Sequence, residues 1–182
     1  MSSLDAAVMR THTISLYVAN KAGVLNRLVL VFSRRGWNID SLSVSPDPDG
    51  KLSRCTIVAQ GDTRTLALII GQLKKLVDVI DAREYPTECV VESELALIRL
   101  SCPEHKRGEL AVMMSTLMGQ RVDEGPTSVT YQVVGTRNEL NVITMELEAQ
   151  FGVMDIIRTG AIVLERSSSA RFPTNRFTQP GA

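Results

Sequence analysis

Hydrophobic and polar positions along this chain switch between two periods. Over residues 12–19, Ile14, Leu16 and Val18 fall on one side at a spacing of two, as in a half-buried strand. Asn20-Lys21-Ala22-Gly23 then reads as a turn and a helix entry. Leu25, Leu28, Val29 and Phe32 recur at i, i+3, i+4 and i+7, the spacing of an amphipathic helix face. Arg34 and Arg35 are expected in its last turn, where cations complement the helix dipole, with Gly36 as the stop. A second strand is expected over 37–44, a Pro/Asp/Gly turn over 45–50 and a third strand over 52–60. Leu66, Ile69, Ile70 and Leu73 repeat the helical stripe, and a strand over 77–85 ends at Pro86. This β-α-β-β-α-β order is the ferredoxin-like arrangement, an antiparallel sheet with two helices on one face.

The order then returns. Residues 94–100 read as a strand, and Leu110, Met113, Met114 and Leu117 as a helix face. A short strand over 120–124, a Gly125-Pro126 turn and an alternating strand over 128–134 follow. Leu140, Ile143 and Leu147 mark a helix ending at Gly152, and residues 158–165 read as the closing strand. The expectation is an α+β protein of two tandem ferredoxin-like βαββαβ domains, 11–86 and 90–166, joined near Pro86-Thr87-Glu88. Residues 1–10 and 167–182, without periodicity, are expected to be disordered tails.

Composition narrows the function classes. The 182 residues carry 20 Lys+Arg and 20 Asp+Glu, so the bulk attraction of a nucleic-acid binder is missing. Neither half departs from balance: residues 1–88 hold 11 basic and 9 acidic side chains, residues 89–182 hold 9 and 11. Aromatics at 4% leave few platforms for stacking bases. Cys55, Cys89 and Cys102 are odd in number and lack a CxxC pair, which argues against a disulfide framework or a zinc site. Residues 1–10 lack the basic and apolar regions of a signal peptide. The longest apolar runs, 28–32 and 66–70, fall far short of the roughly 20 residues of a bilayer span. A cytoplasmic protein, with no membrane or nucleic-acid partner, is expected.

Candidate chemistry is thin. Phosphate-loop, dinucleotide, zincin and nucleophile-elbow motifs are absent. His12 and His105 belong to no metal-spaced cluster and read as solvated. Cys55 reads as a core residue and Cys102, before Pro103, as more exposed. Asp78 with Asp81, and Glu92 with Glu94, read as solvated strand-end charges, and Met113, Met114 and Met118 as helix packing. No catalytic residue, metal site or cofactor site is expected in this chain. The informative segment is the first strand–loop–helix join. A helix start near Gly23 offers free N–H groups to an anion, a glycine admits close approach, and the Asn20 amide both donates and accepts. Those residues alone read first as a turn and a cap.

A resemblance alters that balance. Asn20-x-x-Gly23-Val24-Leu25-x-Arg27, the run from Phe32 through Ser-Arg-Arg-Gly-Trp-Asn-Ile to Asp40, Leu52-Ser-Arg-x-Thr-Ile57 and Gln72-Leu-x-Lys-Leu-Val-Asp-Val79 resemble one kind of ACT domain. Glu92-x-Glu94-Leu-Ala-Leu-Ile98, Phe151-Gly152, Arg158-Thr-Gly160 and Leu164-x-Arg166 resemble the domain that follows it in small regulatory subunits of acetolactate synthase, also called acetohydroxyacid synthase. The match runs over about residues 11–166. The resemblance implies an N-terminal ACT domain, an ACT-like C-terminal domain and a subunit that does no chemistry. It implies binding to a catalytic large subunit that carries thiamine diphosphate, Mg²⁺ and FAD. It also implies activation of that subunit and feedback inhibition by valine, or by leucine or isoleucine, in branched-chain amino acid biosynthesis. ACT domains of this kind pair side by side into an eight-stranded sheet in a homodimer. The effector would then be held by Asn20, Ala22, Gly23, Val24 and Leu25 of one chain and by Asn38 and Ile39 of the other. Cys55 stands where the family often has Met and Trp37 where it commonly has Tyr or Phe, outside those contacts. Leu30, on the polar face of the first helix, is a candidate contact with the catalytic subunit.

Two other classes compete. An amino-acid-sensing transcription regulator would need a helix-turn-helix or a basic stripe, and residues 1–11 show neither. An enzyme with a fused ACT domain would need a nucleophile–base or metal constellation in residues 93–166, where none is legible.

Overall fold

A computed structural model describes residues 9–167. The expectations for residues 1–8 and 168–182 lie outside the described residues. Strand β1 (Arg10–Ala19) is followed by α1 (Val24–Ser33), β2 (Ile39–Pro46), β3 (Leu52–Gly61), α2 (Thr63–Leu73) and β4 (Val79–Glu84). The four strands form an antiparallel sheet in the order β2-β3-β1-β4. β1 is therefore interior, and β2 and β4 are the edges. The alternation Ile14, Leu16, Val18 faces α1 and α2 in one core with Cys55, Ile57, Leu66, Ile69 and Leu73.

The face of α1 is rotated from the expected one. Val24, Leu28, Val31 and Phe32 are buried, whereas Leu25 is 44% and Leu30 42% exposed. Nearly every position from Val24 to Phe32 is apolar, so more than one stripe fits the period, and packing on the sheet selects one. The helix ends at Ser33, so Arg34 caps it and Arg35 lies beyond. His12 is buried rather than solvated. It bonds Glu84 Oε1 at 2.7 Å and the Gly61 carbonyl at 3.1 Å and stacks on Trp37 with centroids 5.7 Å apart.

The second unit repeats this connectivity with β5 (Val90–Ser101), α3 (Arg107–Thr116), β6 (Gln120–Glu124), β7 (Ser128–Gly135), α4 (Arg137–Phe151) and β8 (Val153–Arg158), ordered β6-β7-β5-β8. A separate core gathers Ile98, Leu100, Leu110, Met114, Tyr131, Leu140, Leu147 and Phe151. Cys102 is fully buried here, not exposed. Of the three methionines read as packing, Met114 is buried, Met113 packs against the core and Met118 is 88% exposed.

The closing strand is two strands, not one over 158–165. β8 pairs with Ala96–Leu100 of β5, and β9 (Ile162–Glu165) pairs with Val90–Ser93. Between them Gly160, at φ +79°, turns the chain from one half of β5 to the other. β8 escaped sequence reading because Met154, Asp155 and Ile157 are exposed on this edge strand and leave no clean alternation.

A polar junction joins the units. Glu94, 4% exposed, receives Arg158 through Nε at 2.9 Å and Nη2 at 2.8 Å and the Gly160 N–H at 3.2 Å. Arg137 donates to Ser41 Oγ at 3.1 Å and lies 3.7 Å from Asp40. A side chain at residue 160 would put its Cβ 2.9 Å from that of Ser41. Glu92 accepts from the Arg137 N–H at 2.8 Å, so neither carboxylate of that pair is a solvated strand-end charge.

Candidate functional site at the first strand–helix join

β1 delivers the chain to Asn20, whose N–H bonds the Lys51 carbonyl at 2.9 Å. Its side-chain Nδ2 donates to the Gly50 carbonyl at 2.9 Å, tying the loop to the β2–β3 turn. One of the two N–H donors of the amide is thus committed. Among the described residues its Oδ1 has no partner, so the group is presented as an acceptor, suited to an ammonium.

Gly23 is the residue capping α1, at φ +81° and ψ −9°, with no side-chain cap and no acidic residue in the first turn. The left-handed conformation explains the glycine, and the bare start leaves the positive end of the helix dipole uncompensated by any carboxylate on the helix. Val24 contributes less than expected: its side chain is buried and its N–H reaches the Lys21 carbonyl at 3.3 Å. Ala22 and Leu25 are exposed beside it. Arg27, one turn on, pairs with Asp78 at 2.6 Å; this fixes Asp78 as a structural partner, a role its exposed-looking sequence context did not disclose.

Asn38 and Ile39 lie elsewhere. Ile39 pairs with Ala59 at the far end of β3 from Lys51, and Asn38 is exposed just before it, its Nδ2 3.5 Å from Asp40 Oδ1. The stretch from Lys51 to Ala59 spans roughly 26 Å at about 3.3 Å per residue. One chain therefore brings Asn20, Ala22, Gly23, Val24 and Leu25 together but holds Asn38 and Ile39 at the opposite end of the sheet.

Titration adds no nucleophile. Burial pushes the Cys55 thiol up to about 11 and raises that of Cys102. Among the described residues no cluster of His, Cys, Asp or Glu is arranged to hold a metal. No helix among them is long and apolar enough to cross a membrane.

Comparison with known proteins decides the family. Residues 14–81 match the AHAS small subunit-like ACT domain, and residues 93–167 match the domain described as small subunit of acetolactate synthase. A probable acetolactate synthase small subunit of Archaeoglobus fulgidus is 38% identical over 157 residues, 86% of this chain and 98% of that protein. The chain belongs to the acetolactate synthase small-subunit family. Among other members, the isozyme 3 small subunit of Salmonella typhimurium is 35% identical over 153 residues, 84% of this chain and 94% of its own length. The crystal structure of the Thermotoga maritima small subunit superposes with a TM-score of 0.76 at 32% identity, covering 86% of this chain and 98% of that one. Each of the two ferredoxin-like units of this chain thus carries most of one matched domain.

Proposed function

We propose that this chain is a non-catalytic, cytoplasmic regulatory subunit of acetolactate synthase in branched-chain amino acid biosynthesis. It binds the catalytic large subunit, in which thiamine diphosphate, Mg²⁺ and FAD reside, raises that subunit's activity, and confers feedback inhibition by valine or a related branched-chain amino acid. The observation that carries the effector reading is the division of the site. A bare, glycine-capped helix start suits a carboxylate and Asn20 Oδ1 suits an ammonium, while the remaining residues lie roughly 26 Å away at the other end of β3. A second copy completes the set. β2 is an open edge, and two such edges paired antiparallel bring the start of one β2, with Asn38 and Ile39, to the Pro46 end of the other. That is the end at which Asn20 meets the β2–β3 turn. Asp40, next after Ile39, faces Arg137 of the second unit, which gives the effector strand a direct link to that unit.

The test is reconstitution. Acetolactate formation by the catalytic subunit is expected to rise on adding this chain and to fall again with millimolar valine. Sedimentation at micromolar concentration is expected to show a dimer; a 20 kDa species alone, with or without valine, contradicts the two-chain site. Duplex-DNA binding with a steep salt dependence would instead favour a transcription regulator.

A further inference from the structure

The helix-free face of the first sheet is polar. Ser43 and Ser45 of β2 stand opposite Thr56 and Arg54 of β3, and Tyr17 of β1 stands opposite Arg54 on its other side. Such a face normally meets water. Here the ribbon of β5 and β9 lies over it, turning Val91, Ser93, Ile162 and Leu164 toward the hydroxyls and enclosing a partly open cavity of about 300 Å³. Its wall is mainly apolar, and no Asp or Glu lines it.

Arg54 is the one charged residue in that lining. Its Nη2 donates to the Tyr17 hydroxyl and its guanidinium lies 4.7 Å from the centre of the Tyr17 ring, which holds the group in place. Its Nε is buried and, among the described residues, has no hydrogen-bond partner. The cavity thus holds one fixed positive charge in a mainly apolar wall with no acidic side chain to balance it, and an anion is the ligand that such a lining suits.

We propose that this cavity is a second ligand site, for a short branched aliphatic acid that lacks an ammonium group, a 2-oxo acid being the best fit. The carboxylate pairs with Arg54, the serine and threonine hydroxyls donate to the oxo oxygen, and the branched alkyl group lies against Val91, Ile162 and Leu164. A volume of about 300 Å³ is at the small end of ligand pockets, which suits a molecule of this size. The lining also sets the selectivity. With no carboxylate in the lining, an ammonium would find only hydroxyl acceptors and would stand beside a guanidinium of like charge, so an amino acid of the same carbon skeleton binds less tightly. The site is on the opposite face of the sheet from α1 and does not depend on the effector reading of Gly23.

The experiment is isothermal titration of the full chain with 3-methyl-2-oxobutanoate, and separately with L-valine, which has the same carbon skeleton with an ammonium and a hydrogen in place of the oxo oxygen. Saturable binding of the oxo acid is expected, weakened at least tenfold in Arg54→Met and in Leu164→Trp, and unchanged in Gly23→Asp. Leu164 is 60% exposed, so the tryptophan fills the cavity from a tolerant position and decides the matter if Arg54→Met does not fold. No saturable binding to the wild-type chain overturns the proposal, as does equal affinity in the folded variants. Loss of oxo-acid binding in Gly23→Asp with retention in Leu164→Trp assigns the ligand to the α1 start and likewise overturns it.

Discussion

The two units share a connectivity and differ where the first strand meets the first helix. In the N-terminal unit the join is Asn20-Lys21-Ala22-Gly23, and α1 begins on a left-handed glycine with no acidic residue in its first turn. In the C-terminal unit the same join is Cys102-Pro103 and a 3-10 turn at Glu104–Lys106, with Glu104 in that turn and Glu109 in the first turn of α3. Those acids compensate the dipole at the start of α3. One backbone plan therefore carries a bare helix start and an acid-compensated one, a difference set by the local sequence of the join rather than by the fold.

The strongest break of this comparison is Gly23→Asp. The variant is expected to lose valine inhibition entirely while still activating the catalytic subunit, whereas Glu104→Ala in the other unit leaves inhibition intact. The left-handed backbone at residue 23 costs a non-glycine residue about 1–2 kcal/mol, so the helix does not escape unharmed as an acidic residue inside a first turn would. The new Cβ would also sit 3.3 Å from Arg27 Nη1. Acetolactate assays with and without millimolar valine read the outcome; full inhibition in Gly23→Asp removes the site from α1.

Next in size is the junction. Arg158→Met leaves Glu94 buried without its bidentate partner, and urea unfolding is expected to show a loss of about 3 kcal/mol. A loss under 1 kcal/mol would mean that water reaches Glu94 and that the junction is loose.

Smaller effects separate the helix starts by pH. Asp62 caps α2 by accepting the Thr65 N–H at 2.8 Å, and Glu139 completes a capping box with Thr136 on α4; hydrogen bonds from Thr65 and Thr136 lower the two carboxyl pKa values. A folded pKa below the unfolded one means stability that is present above the unfolded carboxylate range and lost as pH falls through the lowered value. Amide protection at the starts of α2 and α4 is thus expected to fall in acid, while the start of α1, with no titrating cap, keeps its level. Thr136→Ala is expected to cost about 1 kcal/mol at neutral pH.

The smallest effect is on thiol chemistry. Cys55 and Cys102 lie one in each core, so a thiol reagent at pH 8 is expected to modify only half-buried Cys89 in the native chain. Reaction of Cys102 before unfolding would show the second core to be the looser one.

Local patterns were legible where a residue's role depends on its neighbours in sequence. The strands over 52–60 and 128–134 and the stripe of α2 follow from period, and the structure keeps them; the turn expected over 45–50 is confined to 47–50, because Ser45 and Pro46 pair with β3. The site residues at 20–25 were legible as a group because a strand, a glycine and a helix start are adjacent along the chain. The face of α1, the burial of His12 and the break at Gly160 were not, since each depends on what lies across the sheet: the Val24–Phe32 face on β1 and β3, Glu84 and Trp37 around His12, and Ser41 against Gly160.

By itself the sequence determined the element order as far as α4, the tandem repetition, the family and the residues that make a bare helix start, because these follow from spacing and side-chain type along one chain. Only the tertiary structure decided that Asn38 and Ile39 lie at the opposite end of β3 from Asn20. It alone also showed that Glu94 is paired inside a junction and that Arg54 faces a cavity. Hydrophobic periodicity states which side of an element is buried, but it carries no information about which distant element does the burying, and charge pairing and cavities arise from that choice.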